Sequence, residues 1–86
     1  MAKYVINYDL RKPGRNYDDL YKTLNSYDNI HPMESCWIIK SFNSTSYIRD
    51  HLKTKIDTND KLFVSELNDW ALFNLTQTEV NWLRQS

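Results

Sequence analysis

The chain has 86 residues, enough for one hydrophobic core and too few for two, so a single domain spanning residues 1–86 is expected. Eleven Lys and Arg balance eleven Asp and Glu, which excludes a whole-molecule field drawing the protein to nucleic acid or to an anionic membrane. Cys36 is the only cysteine, which rules out an internal disulfide and a cysteine-based metal knuckle and suits a reducing, cytoplasmic setting.

No apolar run approaches the length of a membrane span, and Met1-Ala2-Lys3 leads directly into a strand pattern, so a cytoplasmic location is expected. From Tyr4 to Leu10 the pattern has period two, with Tyr4, Ile6 and Tyr8 on one face and Val5, Asn7 and Asp9 on the other. Arg11-Lys12-Pro13-Gly14-Arg15 then breaks regular structure and forms a basic connection. Asn16 reads as a helix cap, followed by acidic Asp18 and Asp19 and by Tyr17, Leu20, Leu24 and Tyr27 at helical spacing, which predicts a helix from Tyr17 to Ser26.

Asp28-Asn29 reads as a turn, and the segments Ile30 to Glu34 and Cys36 to Phe42 as a hairpin whose first arm, carrying Pro32, lies at a sheet edge. Ile48, Leu52 and Ile56 recur every fourth residue after candidate caps at Asn43, Ser44 and Ser46, which predicts a second helix over Tyr47 to Lys55. Thr58-Asn59-Asp60 is turn chemistry, and Lys61 to Leu67 and Trp70 to Leu75 read as strands joined by a tight bend at Asn68-Asp69. Thr76-Gln77-Thr78-Glu79 is a capping box that starts a short terminal helix from Gln77 to about Arg84.

This order predicts an α+β domain: a ferredoxin-like β-α-β-β-α-β two-layer sandwich with an antiparallel sheet, both helices on one face, and an extra C-terminal strand and short helix. Strands one and three are expected at the centre. The helix-free face, carrying Val5, Asn7 and Asp9, is then open to a second copy, and a homodimer is the expected assembly.

A hydrophobic first strand ending in Tyr8-Asp9-Leu10 resembles the CRISPR-associated Cas-two family of small ferredoxin-like homodimers. Over nearly the whole length the chain more closely resembles the SinR-like proteins of bacteria and phages, through Tyr8 to Gly14, Ser35 to Lys40, Ile48-Arg49-Asp50, Ile56-Asp57 and Asp60-Lys61-Leu62. The Cas-two resemblance implies that Asp9 matches an aspartate proposed to bind a divalent metal near a dimer axis and to support phosphodiester hydrolysis. It also implies the other role known in that family, a non-catalytic structural subunit.

Paired Asp9 carboxylates sharing Mg²⁺ or Mn²⁺ could activate water or polarise phosphate, with Arg11, Lys12 and Arg15 holding the phosphate. The preferred readings are plainer: Asp9 as a strand-ending residue that accepts hydrogen bonds from the next turn, and the basic loop as simply solvated. His31, His51 and Cys36 fit no zinc spacing. Trp37, Trp70, Phe73 and Trp82 read as core or interface side chains, with Val5, Asn7, Trp70 and Phe73 expected at a dimer interface. The favoured reading is a non-catalytic binding or scaffold module that requires no cofactor and takes a protein partner, in phage defence, counter-defence or a toxin-antitoxin pair. A metal-dependent endonuclease acting on RNA or DNA is the alternative.

Overall fold

The computed structural model describes residues 1–85, and its elements run β1 (Ala2–Asp9), α1 (Asp18–Asn25), β2 (Asp28–Met33), β3 (Cys36–Ser41), α2 (Thr45–Lys53), β4 (Lys61–Glu66) and α3 (Gln77–Arg84). The four strands form one antiparallel sheet in the order β2-β3-β1-β4, so β1 and β3 are central and the strand with Pro32 is an edge, as expected. No helix is long and apolar enough to cross a membrane among the described residues.

Alternation along β1 sorts the two faces. Tyr4, Ile6 and Tyr8 point to the same side as Leu20 and Leu24 of α1 and Ile48 and Leu52 of α2, and these side chains form the main core with Trp37 and Ile39. Each helix is amphipathic with a narrow buried stripe, and α2 opens on Ser44, whose hydroxyl accepts from the Tyr47 amide at 3.1 Å. At the start of α1 the boundary shifts by one residue: Tyr17 occupies the capping position without a side-chain bond, while Asn16 Oδ1 accepts from the Asp18 amide at 2.8 Å.

The expected turn at Asp28-Asn29 is instead the start of β2, with Asp28 opposite Lys40 and Asn29 opposite Ile39. The C-terminal segment departs further from expectation. Residues 70–75 form no strand; the segment crosses the helix-free face instead of pairing along an edge. Trp70-Ala71-Leu72-Phe73 is a continuous apolar run without the alternation of a strand, its four residues stay exposed, and Asn74 in the left-handed region (φ 67°) turns the chain out of an extended path.

The consequence is that the chain covers part of its own helix-free face. The Thr76 and Glu79 capping box forms as read, α3 folds back, and Leu83 is buried against Ile30 and Ile38, with Val5, Leu67, Leu75 and Trp82 packed around them. A polar clip holds the helix there. Trp82 Nε1 donates to Asp28 Oδ1 at 2.8 Å, the Lys40 ammonium lies 4.6 Å from the centre of the Trp82 ring and 3.8 Å from Asp28 Oδ2, and Lys3 Nζ donates to the Gln85 carbonyl. Lys40 is thereby almost fully buried and still satisfied, by a carboxylate on one side and an aromatic face on the other.

Candidate functional site

Two regions carry the features singled out in the sequence. The first is the tip of β1. Asp9 ends the strand opposite Lys61 of β4, and its Oδ2 accepts from Arg11 Nε at 3.0 Å and Nη2 at 2.8 Å. Asp9 and Arg11 are both about half exposed, and an ion pair in that setting is worth at most about 1 kcal/mol. Its importance is therefore spatial: the carboxylate has a guanidinium on one side and a lysine on the neighbouring strand. An open depression of about 570 Å³ lies beside it, lined by Asn7, Tyr8, Asp9, Lys61, Leu62 and Phe63.

The rest of the basic loop is also engaged with carboxylates. Lys12 and Arg15 approach Asp57 at 3.5 and 3.8 Å, and Arg15 lies over the Tyr17 ring. Gly14 turns the loop with a φ of 78°. What anchors it is Asp60, which the sequence places in a turn and among the SinR-like matches but gives no bonding role. Its Oδ1 accepts from the Arg11 amide at 2.6 Å and from the Tyr17 hydroxyl, and its Oδ2 accepts from the Asp57 amide at 2.7 Å. Burial opposes the Asp60 charge, but the two amides, the Tyr17 hydroxyl and the nearby Arg15 outweigh it and hold the carboxyl below its usual range. The Tyr17 phenol moves the other way, raised by burial and then by the same carboxylate. Arg11, Lys12 and Arg15 are thus brought together, each beside an acid of the same chain.

The second region is the part of the helix-free face that α3 leaves bare. Between the sheet and the crossing segment runs an apolar groove of about 270 Å³, whose walls include Val5, Cys36, Ile38, Leu67, Trp70 and Phe73. Its rim is wet: Phe73 is 93% exposed, Met33 58% and Trp70 38%. Burial raises the Cys36 thiol above its ordinary pKa, so it is a half-buried apolar wall, with the opposite of the lowered pKa that marks a reactive thiol. Of the four expected interface residues, Trp70 and Phe73 stand at this groove, Val5 forms its floor beneath the chain's own C-terminal segment, and Asn7 lies nearer the β1 tip.

The histidines and Cys36 do not converge on a metal-binding group among the described residues. His31 stacks on Trp37, with ring centres 3.9 Å apart and planes 13° from parallel, and its Nε2 lies 3.0 Å from the Glu34 carbonyl. That carbonyl also accepts from the Tyr8 hydroxyl, which in turn accepts from Trp37 Nε1 at 3.0 Å. His51 is on α2, 3.2 Å from the Tyr27 hydroxyl. No family model matches the chain, and no solved structure does.

Proposed function

We propose that the protein is a non-catalytic binding or scaffold module of ferredoxin-like build that acts as a homodimer and presents the apolar groove to a protein partner. The observation that carries this reading is the groove itself, because large side chains such as Phe73 and Met33 are held in water at the mouth of an apolar cleft, where a monomer gains nothing from them. The ferredoxin-like assignment is supported by the element order, by central β1 and β3, and by α1 and α2 packing on one face. Kinship with the SinR-like and Cas-two families, and a role in phage defence, belong to this same reading.

The alternative, a nuclease built on two Asp9 carboxylates with Mg²⁺ or Mn²⁺, has weaker support. Arg11 and Lys61 flank Asp9 with positive charge, and the loop cations that would hold phosphate lie beside Asp57 and Asp9. A groove that is open in the folded protein should take up an environment-sensitive apolar dye without denaturant. Native wild type is expected to enhance the dye's fluorescence, and the double variant Trp70→Ala, Phe73→Ser to lose most of that enhancement while keeping its circular dichroism. A native protein that leaves the dye dark, or a double variant as bright as wild type, contradicts the groove reading.

A further inference from the structure

The two edges of the sheet are finished differently. On the β2 side Pro32 lacks an amide donor and the pairing with β3 is irregular between Ile30 and Met33, both of which blunt an edge. The β4 side has neither device. Lys61-Leu62-Phe63-Val64-Ser65-Glu66 is an unbroken strand without proline or bulge, with its charges only at the two ends.

The ladder shows which of its backbone groups are free. Leu67 N donates to the Lys3 carbonyl at 2.8 Å, so by antiparallel alternation Val5 with Ser65, Asn7 with Phe63 and Asp9 with Lys61 are the pairs that exchange bonds. Leu62, Val64 and Glu66 therefore aim their N–H and C=O groups outward, and none of the turn or loop backbone bonds among the described residues takes them up.

From this edge we infer that two copies of the chain join through β4, antiparallel about a two-fold axis at Val64, to make one continuous sheet. Charge sets the register. With Val64 opposite its symmetry mate, Glu66 of one copy lies across from Leu62 of the other, on the helix side of the sheet. There Arg49 and Leu62 line both shallow grooves between α2 and β4, and Lys53 lines one of them. Each acidic strand end thus comes nearest Arg49, itself paired with the exposed Asp50, while Lys53 shares its groove with Asp57 and Asp60. A slip that puts Leu62 opposite Val64 would instead set Glu66 against Asp60 of the other copy, a like-charge contact. In the favoured register Phe63, 65% exposed in the single chain, pairs with Ser65 and reaches its own symmetry mate on the diagonal. This deepens the homodimer part of the reading above and rests on it, and it leaves the groove free for the partner.

Sedimentation equilibrium of the full chain tests it. Glu66→Lys and Arg49→Glu should each weaken the dimer roughly tenfold, and the double charge swap should recover most of the loss, as expected for a direct pair across an interface. Val64→Pro removes an outward donor without touching a bond to β1, so it should abolish the dimer and keep the folded circular dichroism. A dimer that ignores all of these changes but dissociates on Trp70→Ala overturns the edge contact and leaves the homodimer standing. A wild-type chain that stays monomeric overturns both the edge contact and the homodimer, whatever the dye experiment gives for the groove.

Discussion

Trp37→Ala is expected to lower the folding stability by about 4 kcal/mol, the largest effect of any single truncation considered for this chain. Trp37 is 4% exposed and stands at the centre of the main core, opposite Ile6 on β1, with His31 stacked on its outer face. Truncation removes the indole's packing and also its donor bond to the Tyr8 hydroxyl, which has its own link to the Glu34 carbonyl. A domain of this size has a total stability of roughly 4–13 kcal/mol, so the variant should lie near the edge of unfolding. Urea denaturation followed by circular dichroism reads it, with a fall in melting temperature of roughly 15–30 °C as the companion measurement. Phe42→Ala is the control. Phe42 is large and aromatic but lies in water just after β3, and its loss should cost no more than about 0.5 kcal/mol. Equal costs for the two would mean that the core is elsewhere.

The second large effect is at Asp60, and it depends on pH. Three groups bond this carboxylate: two backbone amides and a phenol, from the loop after β1, the turn before β4 and the residue that precedes α1. Hydrogen bonds to a charged group are worth more than neutral ones, and Asp60→Ala is expected to cost about 2 kcal/mol at neutral pH, since the site is only half buried. The carboxyl has a lower pKa in the folded chain than in the unfolded one, so the unfolded state takes up the proton first as pH falls. The stabilisation is therefore complete above the ordinary carboxylate range near pH 4, and it drains away as pH drops through that range to the lower folded value. Wild type and Asp60→Ala should differ most at pH 7 and draw together as the pH falls below the ordinary carboxylate range. A gap that stays constant, or widens in acid, would contradict the assignment of Asp60 as the charged anchor of the basic loop.

The elements that were legible in the sequence are those whose signal is local. The alternation of Tyr4, Ile6 and Tyr8, the Thr76 and Glu79 capping box and the edge position of Pro32 all rest on residues within a few positions of one another, and each holds in the structure. The departures come from long-range contacts. Trp70 to Leu75 has strand-forming composition, but the path of the chain is decided by where Leu83 and Trp82 find burial, across the sheet against Ile30 and Ile38. Lys40 looks like an ordinary outward lysine on β3 until Trp82, distant in sequence, closes over it. Asp60 is similar: nothing near it in sequence shows that the Arg11 amide and Tyr17 converge on its carboxylate. The groove could be guessed only as far as its side chains, because Trp70 and Phe73 stand out as bulky residues beyond the basic fold while the cleft beside them is made by packing.

A binding module that does not cut must leave nucleic acid intact, and a hydrolysis assay decides between the two proposed roles. Purified wild type and Asp9→Asn would be incubated with single- and double-stranded RNA and DNA in Mg²⁺ and in Mn²⁺, next to a metal-free control. The two proteins are expected to behave alike, with no cleavage above buffer in any arm. Metal-stimulated cleavage by wild type that disappears in Asp9→Asn would establish the catalytic reading in place of this one.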